Sequence, residues 1–283
     1  EDRVTSGARI YGSGPGLAPA GGQLEPLPSD PHDLVNGEYR IVTGPDDARA
    51  AVRDAIARGA RVIKIYPEAT PQRTRMSVAE IQAAVSEARR HGVPVAAHAT
   101  SDASIREAVE AGVTSIEHAY EVSDDTLRLM AAKGVWLVPT DPSLEMALAF
   151  TATWPQRPPR EEVERHLAPG RDRFARARRL GVPIALGSDL YIAYDGGRGA
   201  ASLATMQGYV EAGMTPAEAL QSATWNAGRM LGDDRLGVLR AGAYADLVAV
   251  QGDPTRALAA LSGPALVMKA GRIEAGSAAA CGG

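Results

Sequence analysis

The chain has a single cysteine, Cys281, set in an Ala/Gly tail. No internal disulfide can form, and no thiolate metal site can be built from this chain alone. Any metal would have to be held by histidine, carboxylate or a modified lysine. Aromatic residues are scarce, at 5% of 283, no basic run is present, and the formal net charge is −4. That balance argues against a nucleic-acid surface or an anionic membrane as partner, and favours a small, even zwitterionic, substrate. Long apolar runs are missing as well: none approaches the roughly 18 residues of a spanning helix. The opening EDRVTSGARIYGSG lacks the charged-then-apolar order of a secretory signal. With no initiating Met, processing or truncation is expected, and the compartment stays open because a removed signal leaves no trace. Lysine is rare too. Of 30 basic residues only Lys64, Lys133 and Lys269 are lysine, and Lys64 lies inside RVIKIY, flanked by isoleucines in a strand-like run.

What is present is an alternation. From about Asp46 onward, amphipathic stretches of helical length alternate with short β-branched runs, the pattern of βαβ units and a parallel sheet. The candidate strands are RVIKIY (61–66), PVAAH (94–98), TSIEH (114–118), VWLVP (135–139) and PIALGS (183–188). Helix caps are readable between them. Ser77 with Glu80 forms a capping box for a helix running to Arg90 and stopped by Gly92, and Thr215, Pro216 and Glu218 open another. Ser123 and Asp124 begin a third that ends at Gly134. ARIYGSG (8–14) is read as a further strand, and the Gly/Pro-rich residues 14–46 as a long surface loop. Past Gly232 the texture changes: ADLVAV (245–250) and ALVMKAGRI (265–273) read as strands of a small separate sheet. The expected fold class is α/β, a (β/α)8 TIM-type barrel incomplete in this chain, over residues 1–235. Residues 236–283 are expected to supply part of a small β-sandwich.

Four polar residues fall at or near the C-terminal ends of these strands: Lys64, His98, His118 and Asp189. Barrel enzymes place their catalytic groups there. A buried unpaired charge costs several kcal/mol by order of magnitude, so a cluster of this kind calls for a compensating partner. A divalent metal is such a partner, and imidazole with carboxylate is the ligand set zinc accepts when thiolates are lacking. An ammonium would repel it. A lysine carboxylated by carbon dioxide is instead anionic, and burial favours the neutral amine that the modification requires. Each residue alone also has a plainer reading. A histidine closing a strand is often a hydrogen-bonded core or rim residue, Lys64 reads as a snorkelling or Schiff-base amine, and Asp189 as a turn or cap residue. His32, His91 and His166 read as structural or solvated, His91 suiting the negative end of its helix.

The order IKI, AHA, IEHA and GSD, followed by SATWNAGRMLG and AGAYADLVAVQGDP, resembles the amidohydrolase superfamily in its imidazolonepropionase-like and prolidase-like branch. The resemblance runs over nearly the whole chain. It implies that Lys64 is the carboxylated bridging lysine after the fourth barrel strand, and that His98 and His118 are ligands after the fifth and sixth. Asp189 would be the eighth-strand aspartate that binds metal and shuttles the proton. The segment Leu236 to Ile273 would belong to the flanking β-sandwich. The family's first strand carries a His-x-His pair for one of two metals, and nothing of that form occurs here. The resemblance therefore leads us to expect a missing N-terminal segment, cleaved away, carried on a companion chain or supplied by a neighbouring protomer in a homo-oligomer.

The implied function is metal-dependent hydrolysis of a C–N bond in a dipeptide, N-acyl amino acid or cyclic amide. One or two divalent ions, zinc by default, would activate water, with Asp189 as acid and base. Tyr66, Thr100, Tyr120 and Tyr191 are candidates to face the substrate, and Asp195 to meet a substrate amine; each is as readily structural. Prolidase-like members commonly carry a tyrosine where Thr100 stands. Two rival readings are a Schiff-base barrel lyase using Lys64 and a metal-free pseudoenzyme that acts only as an assembly partner.

Overall fold

The computed structural model of the protein describes residues 8–22, 37–68, 74–152, 154–190, 194 and 197–276. Six parallel strands form one sheet: β1 (Gly16–Ala18), β2 (Tyr39–Ile41), β3 (Ile63–Ile65), β4 (Val95–Ala99), β5 (Ser115–His118) and β6 (Trp136–Val138). Their order across the sheet is β2-β1-β3-β4-β5-β6. A further extended segment joins beside β6 through a parallel bridge between Leu137 and Ile184, with Leu137 N donating to Pro183 O and Ala185 N to Leu137 O. The strands expected at 61–66, 94–98, 114–118 and 135–139 are therefore in place, and the 183–188 run lies alongside as a bridged segment.

The expectation fails at the start of the chain. The paired strand is Gly16–Ala18 rather than residues 8–14, and two short strands lie within the stretch read as a loop. ARIYGSG still runs beside β3, since Arg61 N donates to Gly12 O at 2.9 Å. Strands of only three residues, GLA and YRI, carry too little periodic signal to be located from sequence.

The helices begin where their caps dictate. α1 (Pro45–Ala57) starts on a proline, and α2 (Val78–Arg90) has the complete Ser77/Glu80 capping box. α3 (Asp102–Ala111) is capped by Ser101 and α4 (Asp124–Lys133) by Ser123, while Gly134 takes the left-handed conformation (φ 66°) that ends α4. α5 (Leu144–Thr151), α6 (Arg160–Arg179) and α7 (Gly197–Glu211) follow, then α8 (Pro216–Gln221) with the Thr215/Glu218 box. A π-helical turn, Ser222–Asn226, leads into α9 (Ala227–Met230). The chain closes on an antiparallel sheet of β7 (Leu247–Val250), β8 (Pro264–Lys269) and β9 (Arg272–Gly276).

The main core lies between the outer face of the parallel sheet and the helices. Ile63, Ile65, Ala97, Ala99 and Ile116 from the strands meet Ile81, Ala84, Ile105, Ala108, Leu127 and Met130 from the helices, all fully buried. Burying each such isoleucine or leucine contributes about 1.5–3 kcal/mol. Strand side chains alternate between faces, so the same register that buries Ile63, Ile65 and Ala97 turns Lys64, Ala96 and His98 inward. Lys64 stands opposite Ala96, and His98 opposite Glu117.

Candidate active site

Lys64, His98, His118 and Asp189 come together at one end of the parallel sheet. The imidazole rings of His98 and His118 lie 4.5 Å apart, edge to face. His118 Nε2 lies 3.9 Å from Asp189 Oδ2. Lys64 is near enough for its charge to act on both imidazoles and on Asp189. Three strands, β3, β4 and β5, and the segment bridged to β6 thus supply one cluster.

The local backbone explains how. His118 (φ 70°), Ala119 (φ 55°), Thr140 (φ 59°) and Asp189 (φ 49°) all adopt the left-handed conformation, leaving Ala270 as the one other non-glycine residue to do so among the described residues. Such conformations cost of order 1–3 kcal/mol each and persist where surrounding structure enforces them. In a regular strand Glu117 and His118 would face opposite sides. The reversal at His118 lets both face inward, which the alternation rule applied to TSIEH could not foresee. Asp189 follows Gly187, whose Cα is so close to Val138 that a Cβ there would lie 2.4 Å from Cγ1. Only glycine lets this segment approach β6 so closely.

Burial sets the protonation states. Withdrawal from water, then the neighbouring Lys64 charge, lowers His98 to about 4. Burial, followed by His98, Lys64 and Arg173, lowers His118 to about 3. Both imidazoles are therefore neutral at pH 7, and the 3.9 Å approach of His118 to Asp189 is not an ion pair. Burial also depresses the Lys64 ammonium, against the pull of Glu117 and Asp189. Partial desolvation raises the Asp189 carboxyl, with Lys64 opposing, although its side chain is 58% exposed.

The remaining candidates divide. Tyr66 packs its ring 5.5 Å from His98 and edge-on to Tyr39 at 5.1 Å. Tyr120 is half exposed, with its ring 5.4 Å from His118. The Thr100 hydroxyl donates to Glu68 Oε1 at 2.9 Å. Tyr191, Asp195 and His32 lie outside the described residues. His91 caps α2 with Nε2 3.3 Å from Glu87, and His166 is exposed on α6.

Three groups were missed by the sequence reading. Glu117 is a half-buried acid near Lys64 that accepts from Ser115 Oγ at 2.7 Å; a charge inside a β-branched run was the available signal. Glu68 grips the turn after β4. Thr140, Asp141 and the buried Arg173 form a support behind His118: Arg173 Nη2 donates to both Asp141 oxygens at 2.7 and 2.6 Å. No local pattern links residues 141 and 173.

The donor chemistry suits a divalent cation. Ligation requires unprotonated imidazole and ionised carboxylate, and both histidines are held neutral. Among the described residues no group of three or more His, Cys, Asp or Glu side chains closes around one point. The Lys64 amine lies near these groups, and as an ammonium it has no lone pair to offer a cation.

The sequence model of the Amidohydrolase family matches residues 2–273. Among curated proteins, the chain is 36% identical over 197 residues to an uncharacterised Mycobacterium tuberculosis protein, covering 68% of this chain and 50% of that one. It is 30% identical over 277 residues to the ochratoxinase of Aspergillus niger, covering 89% and 56%. The chain thus spans about half the length of the curated relatives it matches. The crystal structure of that ochratoxinase superposes with a TM-score of 0.81 at 28% identity, over 98% of this chain and 68% of its own. An Xaa-Pro dipeptidase with bound methionine in its active site superposes with a TM-score of 0.79 at 29% identity, over 96% and 69%.

Proposed function

The chain belongs to the amidohydrolase family, and from that premise we propose that it is a metal-dependent hydrolase of a C–N bond in a small substrate. The family generally binds divalent metals. The observation that carries the reading is the convergence of side chains from β3, β4, β5 and the segment bridged to β6, with the two imidazoles 4.5 Å apart and His118 Nε2 3.9 Å from Asp189 Oδ2.

In this reading His98 and His118 would hold a cation through neutral ring nitrogens, and Asp189 through its carboxylate. Lys64 joins them as a carbamate: its neutral Nζ bonds to the carbon of carbon dioxide and releases one proton to solvent. Burial favours the neutral amine that step needs, and the product places an anion beside two neutral imidazoles. Zinc is the default choice for such N/O donors. When bound, the cation supplies the Lewis acidity that makes water a nucleophile at neutral pH. Asp189 takes the proton from the attacking water at a carboxylate oxygen and returns it to the leaving nitrogen. Its raised pKa moves it toward the range in which one group can do both. The substrate classes proposed are dipeptides, N-acyl amino acids and cyclic amides; a structural relative named as an Xaa-Pro dipeptidase supports the first of these.

The test is metal content by plasma emission, followed by turnover of a panel of N-acyl amino acids and dipeptides. Asp189→Asn is expected to lower kcat by about 10²–10⁴ while the circular dichroism spectrum is unchanged. Activity in Asp189→Asn equal to the parent's would overturn the role given to Asp189. Borohydride trapping of a carbonyl substrate on Lys64 would replace the hydrolase with a Schiff-base mechanism.

A further inference from the structure

The hydrogen bonds behind His118 determine more than its position. A threonine hydroxyl has one proton and two lone pairs. Thr140 Oγ1 lies 2.7 Å from Pro139 O, a group that can only accept, so the proton is spent there. The same oxygen lies 2.8 Å from His118 Nδ1 and also hydrogen-bonds the Tyr120 hydroxyl; with its proton on Pro139 O, its two lone pairs accept from both. A neutral imidazole carries one N–H, which this contact fixes at Nδ1. Nε2 is left with a bare lone pair, and Nε2 is the nitrogen 3.9 Å from Asp189. The Tyr120 hydroxyl also approaches Nδ1, at 3.5 Å. That is the outer limit of a hydrogen bond, and the 2.8 Å contact dominates.

Thr140 does not reach this position by relaxed geometry. It is β-branched and left-handed (φ 59°), and it sits between two groups gripped by one buried side chain. Arg173, 1% exposed, donates from Nη2 to both oxygens of Asp141 and, at 3.4 Å, to Pro139 O. A helix on the outside of the sheet thus holds the backbone on either side of Thr140. We propose that Thr140 is a positioning residue that sets the tautomer of His118, so that a bare Nε2 faces Asp189 and the cation site. This rests on the metal-site reading above in what it implies for binding, but not in what it states about the metal-free protein.

The experiment is a long-range proton–nitrogen correlation spectrum of ¹⁵N-labelled, metal-free protein, with the His118 signals identified by their loss in His118→Asn. The expected parent pattern is a protonated Nδ1 and an unprotonated Nε2. Thr140→Ser, which keeps the hydroxyl, retains it. Thr140→Val shifts it to the Nε2–H form or to a mixture, and weakens zinc binding, measured against a chromophoric chelator, by about 10–100-fold. Thr140→Ala serves where valine is not accommodated. An Nε2–H tautomer in the parent, or unchanged shifts in both Thr140→Val and Thr140→Ala, would overturn the inference. A parent with the expected tautomer that binds no zinc would instead sink the metal reading and leave the role of Thr140 intact.

Discussion

His98 and His118 are neutral in the folded chain because burial, reinforced by the nearby Lys64 charge, disfavours their protonated forms. In the unfolded chain a histidine titrates near 6.5, whereas the folded values are about 4 and about 3. Below about pH 6.5 the unfolded state binds more protons than the folded one, so stability falls as pH falls, until both folded imidazoles titrate. Urea unfolding of the metal-free protein is therefore expected to show a lower midpoint at pH 5 than at pH 7, with a smaller difference in the double variant His98→Asn/His118→Asn. A parent midpoint unchanged or higher at pH 5 would contradict the burial argument. The same neutrality is what ligation needs, so the cost these residues impose at low pH and their use to a cation have one origin.

Two elements carry the site on supports that the strand ladder does not provide. The segment that bears Asp189 touches the sheet at one bridge, Leu137–Ile184. It is held from the other side by the π-helical turn, where Ser222 O accepts from Leu186 N at 3.0 Å and Asn226 Nδ2 donates to Ile184 O at 2.8 Å. The turn between β4 and α3 hangs on Glu68. Its Oε1 accepts from Thr100 N, Thr100 Oγ1 and Ser101 N, and its Oε2 from Ser101 Oγ at 2.7 Å. Burial alone would raise the Glu68 carboxyl, but these bonds hold it below the usual carboxylate range. The folded pKa is depressed, so this stabilisation is present above the unfolded value and is lost as pH falls through the folded one. Glu68→Ala is expected to destabilise by about 1–3 kcal/mol through orphaned donors, measured by chemical denaturation at pH 7. A loss under a few tenths would show that water replaces the carboxylate freely.

Across the whole molecule, the start and end of the described chain are tied together through Asp233. It is 9% exposed and accepts from Tyr11 Oη at 3.0 Å, Tyr244 Oη at 3.1 Å and Arg235 Nε at 3.0 Å. Arg9 adds a second tie to Asp246 at 3.1 Å. The Arg235 guanidinium holds the Asp233 carboxyl well below its usual range, and the Tyr11 phenol is pushed up to about 12, first by burial and then by this carboxylate. Asp233→Asn keeps the volume but leaves one acceptor where two served. It is expected to lower stability by about 1–3 kcal/mol and to speed hydrogen exchange along residues 8–18 and 244–250 more than in β4. Uniform acceleration would show that the tie is no stronger than the rest of the fold.

The sequence by itself determined the elements with strong periodicity or explicit caps: β3 to β6, the helices opened by Ser77, Ser123 and Thr215, and the strand-end positions of Lys64, His98, His118 and Asp189. Those properties depend on neighbours a few residues away, and a single chain displays them. Only the tertiary structure decided what those residues meet. The left-handed backbone at His118 turns Glu117 and His118 to one side, and Thr140 reaches Nδ1 from the segment after β6. Arg173 arrives from a helix more than thirty positions beyond Asp141. Glu68 finds its donors 32 and 33 residues away. These contacts join residues distant along the chain through packing that fixes both partners at once, and no local pattern encodes them.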